Sequence, residues 1–186
     1  MSADRELVRR ILAGDPAATR ELVGRFEHDV FGLCVRLLRH RHDAEDVAQD
    51  VFLRVFRSLA RWDQTRPLRP WVLGITVNRC RTAMGKRVRR PDPADYLADV
   101  PDPEPPPADR ELADAIAACV AELRDEYREV FVLFHETGQS YEEISAVVGR
   151  PVGTVKTWLH RARAVVLKHL KDCGLAPEEA TQGEAG

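Results

Sequence analysis

Between Pro91 and Asp109 the chain holds six acidic residues, no basic one, and the run Asp102-Pro103-Glu104-Pro105-Pro106-Pro107. Prolines at that density remove backbone donors and hold an extended course that neither a helix nor a central strand tolerates. The segment predicts an extended, acidic, proline-rich linker over residues 91–109. It divides 186 residues into two parts, each able to bury only a modest core. With 6% aromatic and 31% charged residues, the composition suits helical bundles filled by Leu, Val, Ile and Ala better than a β-sandwich. The expected fold is all-α, with two small helical domains at residues 1–90 and 110–173 and a disordered tail at 174–186.

The periodicities agree. Leu7, Val8, Ile11 and Leu12 mark a short helix ending at Gly14. Asp15 and Pro16 then supply an N-cap and a first-turn proline for a long helix reaching about Leu38. A third helix begins near Asp43, with Ala44, Val47, Ala48, Val51, Phe52, Val55, Phe56 and Leu59 on one face. The polar run from Arg61 to Pro67 breaks that period, and a fourth helix is predicted from about Pro70 to about Lys86. Beyond the linker, helices are predicted from about Asp109 to Leu123 and from about Asp125 to Glu136, the latter closed by Gly138. Ser140-Tyr141-Glu142-Glu143 spells a capping box for a short helix burying Ile144, Val147 and Val148. After the turn Gly149-Arg150-Pro151, a last helix from about Val152 lines up Val155, Leu159, Ala162, Val166 and Leu170 and stops before Gly174.

Several function classes drop out. The longest apolar run, Ala115 to Ala121, is seven residues, against the roughly 20 a membrane span needs. The mixed charges of Met1-Ser2-Ala3-Asp4-Arg5-Glu6 do not read as a signal peptide. The expectation is a cytoplasmic protein without membrane insertion. Cys34, Cys80, Cys119 and Cys173 lie too far apart in sequence for a zinc knuckle or redox pair, and all are expected to be reduced thiols. Cys34 falls in the apolar series Phe26, Val30, Phe31, Leu38 and is expected in the core. No P-loop or dinucleotide fingerprint is present, and His135-Glu136 lacks the second histidine of a zinc protease helix, since position 139 is Gln. Neither metal nor cofactor is expected, and no catalytic residue is assigned.

The net charge of -2 conceals a sharp segregation. From Gln64 to Arg90 stand eight basic residues and no acid; from Ile144 to Lys171 stand six, again with no acid. Two acid-free windows in a chain acidic overall point to two polyanion sites, nucleic acid being the natural ligand. The layout from Ser140 to Arg163 is that of a helix-turn-helix. Its donors Arg150, Thr154, Lys156, Thr157, His160, Arg161 and Arg163 suit phosphates and base edges of a duplex. The first window instead mixes a polar loop, tryptophans and an amide: Arg61, Trp62, Asp63, Gln64, Arg66, Arg69, Trp71, Asn78, Arg79 and Arg81. That mixture suits unstacked single-stranded DNA, although Trp71, opening an amphipathic helix, reads more readily as a core anchor. Asp43, Asp46 and Asp50, with Gln49 beside them, form an acidic stripe opposite the apolar face of the third helix. Such a stripe repels DNA and so is expected to face a basic protein.

Four segments together resemble the extracytoplasmic-function type of bacterial RNA polymerase sigma factor. They are Asp43-Ala44-Glu45-Asp46-Val47-Ala48-Gln49-Asp50-Val51-Phe52, Pro70-Trp71-Val72-Leu73-Gly74-Ile75-Thr76-Val77-Asn78-Arg79, Tyr141-Glu142-Glu143-Ile144 and Gly153-Thr154-Val155-Lys156-Thr157-Trp158-Leu159-His160-Arg161-Ala162-Arg163. The resemblance covers the chain from about Leu7 to Leu170. It implies that the first domain grips the clamp helices of the polymerase largest subunit through Asp43, Asp46, Gln49 and Asp50. It implies further that this domain opens the minus-ten element and captures a flipped base before Trp71, helped by Asn78. The second domain would read the minus-thirty-five duplex and touch the polymerase flap. Leu68 and Thr82 stand where the family often has an aromatic residue and an aspartate, and Trp158 where many relatives have Arg, so no base preference carries over. Such factors are commonly held by an anti-sigma protein, though no residue here identifies one.

The implied role is a sigma factor that binds core RNA polymerase and directs promoter recognition, DNA melting and transcription initiation. The competing reading is an autonomous helix-turn-helix repressor or activator, which usually dimerises on a palindrome. An enzyme acting on nucleic acid would need clustered carboxylates near the basic loop, where Arg61 to Arg90 offers Asp63 alone.

Overall fold

A computed structural model describes residues 3–87 and 107–175, and every described element is helical or turn. The first lobe comprises α1 (Ala3–Leu12), α2 (Pro16–Leu38), α3 (Arg41–Ser58) and α4 (Leu68–Arg87), with a single 3-10 turn, Leu59–Arg61, closing α3. The second comprises α5 (Pro107–Glu122), α6 (Asp125–His135), α7 (Tyr141–Val148) and α8 (Val152–Asp172). Most of the expected linker lies outside the described residues. Its last three residues, from Pro107, form the first turn of α5, where a proline costs no helical hydrogen bond. Most of the expected tail also lies outside them, but Gly174 and Leu175 close α8: the Leu175 N–H donates to Leu170 O at 2.8 Å, with Gly174 at φ 72°.

In the first lobe α2, α3 and α4 pack against one another, with α1 laid on α2. Asp15 caps α2, its carboxylate accepting the Ala17 N–H at 2.8 Å. Helix α3 starts two residues before Asp43, because the His40 imidazole Nδ1 accepts the Asp43 N–H at 3.3 Å. Ala44, Ala48, Val51 and Val55 are buried along it, as the periodicity predicts. Cys34 and Cys80, both 0% exposed, meet at 3.7 Å between α2 and α4. Hydrogen bonding to Cys34, then burial, pushes the Cys80 thiol far above its ordinary pKa, which keeps that thiol protonated.

In the second lobe α8 runs across α5, α6 and α7, burying all five expected residues, Val155, Leu159, Ala162, Val166 and Leu170. Helix α6 is unusual in burying every residue from Arg128 to Leu133, more than one packed face of a helix offers. The second face meets the first lobe: α6 rests on α2 and α7 on α4. Among the described residues no helix is long and apolar enough to cross a membrane.

Candidate polymerase and nucleic-acid interfaces

On α3 the acidic stripe lies opposite the buried face, with Asp46 and Gln49 exposed and Asp43 and Asp50 partly so. Asp43 is drawn into the helix cap by His40. Asp50 pairs with Arg79 of α4. The carboxylate predicted to meet a protein and a guanidinium predicted to meet DNA thus hold each other.

The loop before α4 is built from both directions. Asp63 forms an Asx turn, accepting from the Thr65 hydroxyl at 2.7 Å and the Thr65 N–H at 2.9 Å. These bonds, with the Arg66 charge nearby, hold its carboxyl below the usual range. From α1, Arg5 Nε donates to Gln64 O at 2.9 Å, and Asp4 accepts the Leu68 N–H at 3.2 Å. That second bond caps α4 from a distance and explains why the helix begins at Leu68, two residues earlier than the local signals place it. Arg61, Asp63, Gln64 and Arg66 are exposed. Trp62 is not on the loop surface: it is 5% exposed, with its indole N–H buried and unpartnered. Trp71 is half-buried and lines a cleft of about 450 Å³ with Pro70, Gly74, Glu142 and Val147. Asn78 projects outward, while its carbonyl accepts the Thr82 hydroxyl at 2.8 Å. Arg69 and Arg81 turn toward the second lobe.

The helix-turn-helix is assembled as the sequence predicts. Ser140 Oγ accepts the Glu143 N–H at 3.2 Å while Glu143 accepts the Ser140 N–H at 2.8 Å. Gly149 turns the chain at φ 68°, a conformation that favours glycine, and the Ser145 hydroxyl donates to Arg150 O at 2.6 Å across the turn. Lys156, Thr157, His160, Arg161 and Arg163 are exposed on α8, with Thr154 partly covered. The sequence reasoning did not find the aromatic bed beneath these cations. Lys156 Nζ lies 5.3 Å from the Tyr141 ring, Arg150 6.0 Å from Trp158 and Arg163 4.9 Å from Phe134. Arg161 donates to the Tyr127 hydroxyl at 3.3 Å, which lowers that phenol's pKa. Arg163 Nε donates to His135 Nε2 at 3.1 Å. Partial burial, then the Arg163 charge, holds His135 below the ordinary imidazole pKa. The signal was present as four aromatics from Tyr127 to Tyr141, but their spacing reads equally as core.

Two further polar residues carry no sequence signal of their burial. Arg128 and Glu129 interrupt the apolar run of α6 and are both buried, at 5% and 1% exposure. Arg128 faces the end of α5, and Glu129 meets Arg81 of the first lobe. Among the described residues no group of three or more His, Cys, Asp or Glu is placed to hold a metal.

The comparisons fall on these same two lobes. The family models for sigma-70 region 2 and sigma-70 region 4 match residues 22–90 and 113–166. The RNA polymerase sigma-H factor of Pseudomonas aeruginosa is 30% identical over 90% of this chain and 94% of its own. The ECF RNA polymerase sigma factor SigW of Bacillus subtilis is 31% identical over 89% and 95%. Among solved structures, CnrH from its complex with the cytosolic domain of CnrY superposes with a TM-score of 0.69 at 28% identity, covering 92% of this chain and 99% of that one.

Proposed function

The chain belongs to the sigma-70 family of RNA polymerase sigma factors, in its extracytoplasmic-function branch, and from that premise we propose that it is a dissociable specificity subunit. It docks on core RNA polymerase in the cytoplasm, reads a promoter through two lobes and stabilises the opened strand. It makes and breaks no bond itself; catalysis belongs to the polymerase. The observation that carries this reading is that both matched regions lie in order on one chain, an acidic stripe on one lobe and a helix-turn-helix on the other.

In this reading the exposed side chains of Asp46 and Gln49, with Asp43 and Asp50 at the edges of the stripe, engage basic residues on the clamp helices of the largest subunit. Arg61, Gln64 and Arg66 on the loop, with Asn78, Arg79 and Arg81 on α4, track the phosphates and bases of the non-duplex strand at minus ten. Trp62 supports the loop from inside, and Trp71 stands at its edge. Lys156, Thr157, His160 and Arg161 enter the major groove at minus thirty-five, with Arg150, Thr154 and Arg163 on flanking phosphates. The second lobe also meets the polymerase flap, and an anti-sigma protein is a natural regulator.

The test is core dependence. Promoter duplex mixed with the chain alone at moderate salt should show no specific complex, whereas addition of core enzyme should yield specific initiation from a promoter library. Tight, specific binding to an operator without core, and no association with core, would overturn the reading in favour of an autonomous regulator.

A further inference from the structure

Helix α1 carries Arg5, Arg9 and Arg10, and two of these are neutralised within the lobe. Arg9 forks onto Glu6, with Nη2 at 2.6 Å and Nε at 2.9 Å, and Arg10 is held by Asp15 at 2.8 Å and by Glu21 at 3.0 Å. Arg5 is exposed and holds no carboxylate among the described residues. Its guanidinium turns instead to the loop before α4, where Nε donates to Gln64 O at 2.9 Å across 59 positions of sequence. That bond uses a single N–H and orients the group, so the terminal nitrogens keep their donors for another acceptor.

The acids that could neutralise Arg5 are already engaged. Asp4 pairs with Arg25 at 2.7 Å and accepts the Leu68 N–H. Glu6 is taken by Arg9, and Asp63 serves the Thr65 turn and Arg66, the latter at 3.5 Å. Arg61, at the start of the same loop, is exposed and likewise without a carboxylate among the described residues. Helix α1 packs against the 3-10 turn that ends at Arg61. Two uncompensated guanidinium groups therefore approach the loop from separate elements, Arg61 along the chain and Arg5 across from α1. Bracing the loop does not require this charge, since Asp4 already fixes its far end through Leu68. A pre-oriented, unpaired guanidinium fits a phosphate, which it meets with two parallel bonds. The region 2 match begins at residue 22, so α1 and this contact lie outside it.

We propose that Arg5 is a further DNA-contacting residue: aligned by Gln64 O, its guanidinium takes a backbone phosphate of the opened strand jointly with Arg61, so that the minus-ten strand is gripped from α1 as well as from the loop and α4. The contact deepens the sigma-factor reading and rests on it. Being made to phosphate, it adds affinity and no base preference.

The test is the salt dependence with which holoenzyme, built from core and the full chain, binds a labelled single-stranded oligonucleotide of random sequence, core alone serving as the blank. Loss of one phosphate contact to a single strand flattens the logarithmic slope by about 0.7. Arg5→Gln should show that change while associating normally with core. Arg5→Lys keeps the charge but not the Nε bond, and should retain the slope. Arg20→Gln is the matched control, because Arg20 is also exposed, donates Nε to a carbonyl, Pro16 O at 3.3 Å, and holds no carboxylate among the described residues; it should leave the slope unchanged. An unaltered slope for Arg5→Gln, with Gln and Lys weakening binding equally, would reduce Arg5 to a brace for the loop and overturn the proposal. Equal flattening by Arg20→Gln would overturn it in favour of net charge alone, and loss of core association by Arg5→Gln would overturn it in favour of a protein contact. Failure of the wild-type chain to associate with core would instead overturn the parent reading, and this one with it.

Discussion

Replacing Arg128 with Met probes the most heavily bonded buried side chain of the second lobe. Its guanidinium donates to Val120 O at 3.2 Å, Ala121 O at 3.0 Å and Leu123 O at 2.6 Å, and pairs with Asp125 at 3.0 Å. These carbonyls end α5, so a cation from α6 does what a local cap does elsewhere. A hydrogen bond to a charged group contributes about 1.5–3 kcal/mol, so three carbonyls set an upper range of roughly 5–9 kcal/mol. Against this stands the desolvation of the cation, which pulls its pKa below the ordinary arginine value and is relieved in the variant. The net loss is then about 3 kcal/mol, in line with breaking a buried charged contact. For a chain of this size each kcal/mol moves Tm by about 2–4 °C, so Arg128→Met should lower it by about 6–12 °C in a circular dichroism melt. Lysine, a point charge that cannot fork across three carbonyls, should recover less than half of that. A fall under about 2 °C for Arg128→Met would refute the capping argument.

Reversing the charges of Asp46 and Asp50 together should abolish association with core enzyme in a pull-down while leaving helical content intact; unchanged association removes the assigned stripe. Replacing Lys156 and Arg161 with Ala should flatten the salt dependence of minus-thirty-five binding by about one to two units of logarithmic slope; an unchanged slope means another face meets the duplex. His135 should titrate by proton NMR below the ordinary histidine value of about 6.5. Because its folded pKa is the depressed one, the unfolded chain binds more protons, so this contribution is present above pH ~6.5 and is lost as pH falls. His135→Gln should remove that part of the acid sensitivity, and an NMR midpoint at or above 6.5 would contradict the placement of Arg163 beside the ring.

Where local chemistry decides, the sequence was readable. Asp15 with Pro16, the Ser140–Glu143 box and Gly149 each act within a few residues of themselves, and the helix ends they predict are where the chain turns. Local signals place the start of α4 two residues late because its capping partner, Asp4, is remote in sequence. Trp62 reads as a loop aromatic because nothing nearby in sequence says that its side chain is buried. The cations of both basic windows were legible as charge, but their intramolecular partners were not. Asp50 for Arg79, Glu129 for Arg81 and Tyr127 for Arg161 are set by tertiary packing, which composition and period do not encode.

The braces from α1 to the loop before α4 give the first helical turn a role that no motif names. Asp4 also holds Arg25 of α2 at 2.7 Å, so one carboxylate, on a different helix from the acidic stripe, buttresses the loop. An affinity tag or trimmed start that frays this turn should therefore spare assembly with the polymerase and shorten the lifetime of the opened bubble, a defect of persistence rather than of recruitment.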